Sequence, residues 1–198
     1  MIANLTLQYH DNGDPGFTEK GRDLNRFRCE LSAYRNLSLY GVCEKGHVPQ
    51  YYGYIDRLNP TQFRPYLDCF NDDLYAPEAI VLEYFPNVET LNCVNYSKQR
   101  YQKAVDGIEE IHKALVHHRD VYPKNLLLVL EDPERVLWVD FDVATTYSSK
   151  ETMGLKREQY NFHEVELVKG FGELLVRLFP LTLSSPFPNI YFALLELP

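Results

Sequence analysis

Residues 118–125 read His-Arg-Asp-Val-Tyr-Pro-Lys-Asn, and Asp140-Phe141-Asp142 begins fifteen residues after Asn125. Moving a phosphoryl group onto an alcohol calls for a carboxylate that orients the hydroxyl and accepts its proton, and for oxygen ligands that hold the cations around the phosphates. Asp120 suits the first task. Asn125, with a neutral carbonyl oxygen, and Asp140, with a charged one, suit the second. Lys124 lies beside them as a cation able to neutralise developing charge. The two metal-ligand candidates can meet only if the chain between them doubles back. A His-Arg-Asp triplet alone says little. The triplet, an asparagine five residues past its Asp, an intervening hairpin and a second Asp are four features that agree. Asp142 adds a further carboxylate, suited either to the metal or to a structural hydrogen bond.

The elements needed to position these residues follow from apolar spacing and turn chemistry. Tyr101, Ala104, Val105, Ile108, Ile111, His112 and Leu115 recur at helical steps, so a helix over 98–114 delivers the chain to His118. Residues 126–130 and 136–139 read as two strands joined by Glu-Asp-Pro-Glu, the required hairpin. Upstream, residues 2–9 read as a strand ended by the turn-rich Asp-Asn-Gly-Asp-Pro-Gly. Leu24, Phe27, Leu31, Tyr34 and Leu37 then mark a helix with Asp23 near its N-cap and Gly41 as its stop. Residues 48–55 and 79–84 are further strands, separated by a long insertion with one helical turn. A polar stretch covers 145–156. A last amphipathic helix runs over 158–179, with Val165, Val168, Phe171, Leu175 and Leu178 on one side, and a Pro- and Ser-rich tail follows. There is no internal repeat.

Bulk properties exclude several classes. A chain of 198 residues with 45% hydrophobic residues can build a core, and its net charge of −8 lacks the basic balance of a nucleic-acid binder. The four cysteines, Cys29, Cys43, Cys69 and Cys93, show no C-x-x-C spacing, so the expectation is reduced thiols and no zinc site. No apolar run approaches the ~20 residues that span a bilayer, and the first residues lack the pattern of a signal peptide. The expected setting is cytoplasmic or nuclear, with no membrane and no nucleic-acid partner.

With these motifs in place, the chain resembles the protein-kinase-like superfamily, and is closest to compact fungal kinase-like proteins with a His-His-Arg-Asp-x-Tyr-Pro-Lys-Asn loop. The resemblance covers about residues 24–178. It implies an α+β, two-lobed fold, with an incomplete N-terminal lobe and hinge over 1–86 and a mainly helical C-terminal lobe over 87–198. It implies ATP with Mg²⁺ (or Mn²⁺) as cofactors. Asp120 and Lys124 would be catalytic, and Asn125 and Asp140 would hold metal. Glu30 would be the helix glutamate that pairs with a phosphate-gripping lysine, with Glu19 as a rival. Leu82 would be the gatekeeper, the backbone of Glu83 and Phe85 would meet adenine, and Leu128 would floor the adenine pocket. His118 would orient the loop and pack beneath Asp140.

The departures are as informative. The strand ahead of the Glu30 helix has no lysine; Lys20 is the only one before Glu30, and it falls past the turn. No glycine-rich loop precedes that strand, so the small lobe is expected to be N-terminally truncated. Tyr122 replaces the usual lysine after the catalytic Asp, Asp142 replaces a glycine, and no A-P-E follows. The reading is an ATP-dependent phosphotransferase on a Ser/Thr or small-alcohol acceptor, weakened because the lysine's contribution is missing. Two alternatives stand beside it: a pseudokinase or binding module without turnover, and a partial product of a longer gene.

Overall fold

The computed structural model describes residues 7–184. Strand β1 (Leu7–Asp11) is followed by a looped segment and helix α1 (Arg26–Leu39). The apolar spacing fixes the buried side of α1: Phe27, Cys29, Glu30, Leu31, Ala33, Tyr34 and Leu37 all face inward. The N-cap is Asn25, whose side chain accepts from the Arg28 amide at 2.9 Å, and not Asp23. Asp23 lies two residues earlier and accepts from the Asn25 amide and from the Arg28 guanidinium. Gly41, with φ of 73°, follows the C-cap Tyr40, where the left-handed backbone favours glycine.

Strands β2 (Tyr51–Ile55) and β3 (Tyr75–Leu82) complete an antiparallel sheet of order β1-β3-β2. β3 starts four residues before the expected 79, because Asp11 of β1 pairs with Tyr75 and extends the ladder. The insertion between β2 and β3 holds two 3₁₀ turns, Pro60–Phe63 and Asp68–Phe70, where one was expected. They close over a small core of their own: Leu58, Leu67, Phe70 and Ala79.

Strand β4 (Val88–Thr90) was not expected. It pairs antiparallel with β6 (Leu126–Val129), which pairs in turn with β7 (Asp132–Trp138). All three residues of β4 are exposed, so no apolar alternation marks it. The β6–β7 hairpin turns at Leu130 and Glu131, earlier than the Glu-Asp-Pro-Glu expectation, and Pro133 lies inside β7. Helix α2 (Lys98–Lys113) is capped by Ser97, whose side chain accepts from the Arg100 amide at 3.2 Å. Short strands β5 (Val116–His117) and β8 (Thr145–Thr146) pair with each other, and helices α3 (Lys150–Met153) and α4 (Leu155–Ser184) follow. The backbone of α4 continues past Pro180, beyond the expected end at 179; a proline removes one helix donor without obliging the chain to stop. The tail beyond 184 lies outside the described residues.

The result is α+β, with helices packed on antiparallel sheets. One main core joins them, drawing Tyr34, Leu37, Ile80 and Leu82 together with Ile108, Ile111, Leu128, Trp138 and Phe141. Burying each such side chain contributes roughly 1.5–3 kcal/mol. Trp138 is fully buried, and its indole N–H donates to the Ala104 carbonyl at 2.9 Å. That approach of β7 to α2 requires Gly107, where a Cβ would lie 3.0 Å from the Trp138 ring. The four cysteines are all free thiols, three of them buried. Among the described residues, no helix is long and apolar enough to cross a membrane.

Candidate functional site

The loop between β5 and β6 is shaped by buried groups. His118 is fully buried and packs its ring on Trp138 and Phe141. The Asp120 amide donates to His118 Nδ1 at 3.3 Å, and His118 Nε2 faces the Val139 carbonyl at 3.1 Å. An amide can only donate and a carbonyl can only accept, so the proton sits on Nε2 and the imidazole is neutral. Burial pushes its pKa down, consistent with that state. His118 therefore ties the loop to the residue just before Asp140, in a structural role.

Asp120, Lys124 and Asn125 converge. A 3₁₀ turn at Pro123–Asn125 brings Lys124 Nζ to 2.9 Å from Asp120 Oδ2. The Asn125 amide nitrogen donates to the Asp120 carbonyl at 2.8 Å and to Oδ2 at 2.9 Å. Oδ2 is thus held by two donors, and Asn125 Oδ1 remains available. Bonding to Asp120 raises the Lys124 pKa, and the charges of Asp140 and Asp142 act in the same direction.

Asp140 lies just past β7 with φ of 68°, a left-handed conformation that a non-glycine residue adopts at a cost. Phe141 explains how it is held. Its side chain is fully buried against Tyr34 and His118, which fixes the carboxylates on either side. Burial raises the Asp140 pKa, the neighbouring Asp142 carboxylate raises it further, and Asp120 acts in the same direction. Asp142 also pairs with Arg26 at 3.0 Å, at the start of α1.

Glu30 is 1% exposed. One carboxylate oxygen accepts from the Phe141 amide at 3.3 Å and the other from the Tyr9 hydroxyl. The partner contributed by β1 is therefore a phenol, not a cation. Burial pushes the Glu30 pKa up to about 7, against the two hydrogen bonds and helped by Asp140 and Asp142. Burial and the Glu30 charge push the Tyr9 phenol well above its ordinary value. Glu19, the rival candidate, is exposed on the loop before α1.

The adenine-side candidates form a second group. Leu82 and Leu128 are buried in the same core. The Glu83 amide is committed to the Gln50 carbonyl at 2.8 Å, so its carbonyl is the group left for a ligand. Arg135 bonds both Glu83 carboxylate oxygens, at 2.9 and 2.7 Å, and stacks over the Phe85 ring at 4.8 Å. Burial alone would raise the Glu83 pKa, but Arg135 and the Gln50 amide lower it overall.

Sequence reasoning missed Glu164 of α4. It is 4% exposed and accepts from the His118 and Arg119 amides and from His112 Nε2 at 2.8 Å. His117 Nδ1 lies 3.3 Å away. The possible ligand atoms of His112, His117 and Glu164 lie within 4.8 Å of one another, but Glu164 already satisfies the loop amides. Its pKa is lowered: burial pushes up, and His112, His117 and the Arg119 amide together outweigh it. The signal was present, since Glu164 lies four residues before Val168 on the stripe that includes Val165. Tyr9 carried no comparable signal.

Comparison with known proteins leaves the chain to its own geometry. No protein-family model matches it, and no curated protein does.

Proposed function

We propose that this chain is a protein-kinase-like phosphotransferase that moves the terminal phosphoryl group of ATP to an alcohol, with slow turnover. The observation that carries the reading is the convergence of Lys124 and Asn125 on one oxygen of Asp120. That arrangement leaves Oδ1 to orient a hydroxyl and accept its proton. Asp140 supports it, since a left-handed backbone at a half-buried carboxylate is a strained feature of the kind that gathers at active sites. The α+β build, the β6–β7 hairpin and the buried Glu30 agree with the resemblance drawn from the motifs.

The donor set suits a divalent cation. Asp140 and Asp142 flank the buried Phe141, and burial first, then the Asp142 carboxylate, raises the Asp140 pKa. Asn125 Oδ1 and the Asp140 carboxylate would hold Mg²⁺, which would neutralise phosphate charge. Lys124 would add a second cation. Asp120 would take the acceptor's proton as its oxygen bonds to phosphorus and the bond to the leaving ADP oxygen breaks.

One observation favours the runner-up, a pseudokinase that binds nucleotide without efficient turnover. Glu30 is capped by the Tyr9 hydroxyl, so it holds no lysine against the phosphates. The two readings part in one experiment on the full chain. MgATP is expected to raise the melting temperature, and Asp140→Asn to remove that rise. ADP release with an alcohol acceptor is expected to be slow and to vanish in Asp120→Asn. Binding without any Asp120-dependent ADP release selects the pseudokinase. A melting temperature indifferent to MgATP sinks both.

A further inference from the structure

A cavity of about 1150 Å³ opens beside the loop that bears Asp120, walled by the 18–22 turn, by Arg119, Val121 and Tyr122, and by one side of α4. None of the nucleotide-side candidates Glu30, Leu82, Glu83, Phe85, Leu128 or Asp140 lines it. Its volume lies slightly above the range of small-molecule sites, about 300–1,000 Å³. Apolar groups, Val121, Leu167 and Phe171 among them, cover part of the wall.

The charges in this wall do not balance. Lys20, Arg22 and Arg119 line it, and none of the three forms an ion pair with a carboxylate among the described residues. Among the described residues, the hydrogen bond of Arg119's side chain is to the Thr145 hydroxyl, at 3.5 Å. Arg22 Nε is buried without any hydrogen-bond partner. Elsewhere Arg26, Arg28, Lys45, Lys124 and Arg135 meet carboxylates, and Arg100 and Arg35, which do not, are engaged by backbone carbonyls and by the Tyr54 ring. Of the two carboxylates in the wall, Glu164 is engaged by the loop amides and His112, and Glu19 contacts none of the three cations. In a chain of net charge −8, three cations left facing one cavity are not a by-product of basic composition.

The loop that presents Lys20 and Arg22 is built. The Thr18 amide donates to the Arg22 carbonyl at 2.8 Å, and the Arg22 amide donates to the Thr18 hydroxyl at 3.0 Å. The Gly21 amide returns to the Thr18 carbonyl at 2.8 Å, and Phe17 bridges to Asp23. Arg22 is thereby aimed from a tight turn, and a buried guanidinium nitrogen with no acceptor is a donor waiting for an anion.

We propose that this cavity receives the anionic end of the acceptor alcohol, a phosphate or carboxylate on a small molecule, gripped by Lys20, Arg22 and Arg119. Asp120 lies between Arg119 and Val121 in the chain without lining the cavity itself, so an acceptor anchored here would extend its hydroxyl past the wall to that carboxylate. The hydroxyl oxygen then bonds to the γ-phosphorus of ATP, the bond from that phosphorus to the β–γ bridging oxygen breaks, and the hydroxyl proton passes to Asp120. The assignment rests on the phosphotransfer reading and adds to it the class of acceptor, an acidic one.

The test is calorimetric titration of the full chain, without nucleotide, using sn-glycerol 3-phosphate, glycerol and ethanolamine as anionic, neutral and cationic probes. Saturable binding of glycerol 3-phosphate alone is expected, weakened about tenfold or more by Arg22→Met or by Lys20→Met. Lys20 is exposed, so its variant decides the matter if Arg22→Met fails to fold. Equal binding of glycerol, preference for ethanolamine, or affinity unchanged in both variants overturns the proposal. Anion binding that appears only once Thr145→Ala has removed a phosphate from the purified chain assigns the cations to the protein's own phosphothreonine and also overturns it. MgATP binding is measured in parallel. Its loss in Asp140→Asn with anion binding retained supports two separate subsites. Anion binding in a chain that never binds MgATP removes the phosphotransfer reading and overturns the acceptor role with it.

Discussion

Replacing Glu30 by Gln should remove the loss of stability that the wild type undergoes as pH rises through 7. Glu30 is sealed between Tyr9 and the Phe141 amide, and burial lifts its pKa from the ordinary 4.5 to about 7. Between those values the folded protein holds a proton that the unfolded chain has released. The stabilisation is complete below pH 4.5 and is lost as pH rises through 7. The difference corresponds to about 3 kcal/mol, a large share of a typical domain's net stability. Gln is neutral at every pH, keeps an acceptor for the Phe141 amide and offers a donor to the Tyr9 oxygen. Urea unfolding at half-unit steps from pH 5 to 8 should show the variant close to the wild type at pH 5. At pH 8 it should be more stable by about 3 kcal/mol. Groups such as His118 and Glu164, whose pKa values are lowered, pull the wild-type curve the other way in the acid range, but they are common to both proteins and cancel in the difference. Parallel curves for the two proteins, or a variant that loses ground as pH rises, would refute the account of Glu30 as a carboxyl held partly protonated by burial.

Three further outcomes are expected. Tyr9→Lys places an ammonium against Glu30; it should hold the carboxylate ionised, flatten the same pH dependence and tighten MgATP binding, read by thermal shift. Gly107→Ala drives a methyl to 3.0 Å from Trp138 and should cost about 1–3 kcal/mol in urea, with a changed near-UV signal from that tryptophan. Glu164→Ala strands the His118 and Arg119 amides and should cost about 3 kcal/mol, with Glu164→Gln milder. Because the Glu164 pKa is lowered, its contribution holds above the ordinary carboxylate range and fades in acid, so the penalty for Glu164→Gln should shrink as pH falls.

The sequence was most legible where periodicity and local turn chemistry settle the structure. The seam of α2, the inward face of α1 with Glu30 on it, and the β6–β7 hairpin follow from spacing that a single helix or ladder must obey. The proximity of Asp120, Lys124 and Asn125 was equally readable, because one 3₁₀ turn brings positions i, i+4 and i+5 together. Long-range pairings were less readable. β4 is three exposed residues that gain their conformation from β6, and β5 and β8 are two residues each. Asp23 looked like an N-cap because it is an Asp before an apolar run; Asn25 won because Arg28 draws Asp23 into an ion pair. The cap on Glu30 was hidden for a different reason. The strand's missing lysine was plain, but which side chain of β1 would point at Glu30 depends on register with β3, and register is a property of the whole sheet.

Glu164 gives the molecule an order of assembly. The loop that carries Asp120 leaves the ribosome more than forty residues ahead of the carboxylate that clamps its two amides. Until α4 has been made and has docked, the His118 and Arg119 amides lack the acceptor that clamps them, although the His118 ring can already pack and the hairpin behind it can already pair. A protease nick within α3 or at the start of α4 would leave both three-stranded sheets standing and release the loop, so that the integrity of one distant helix decides whether three correctly spaced residues form a site at all.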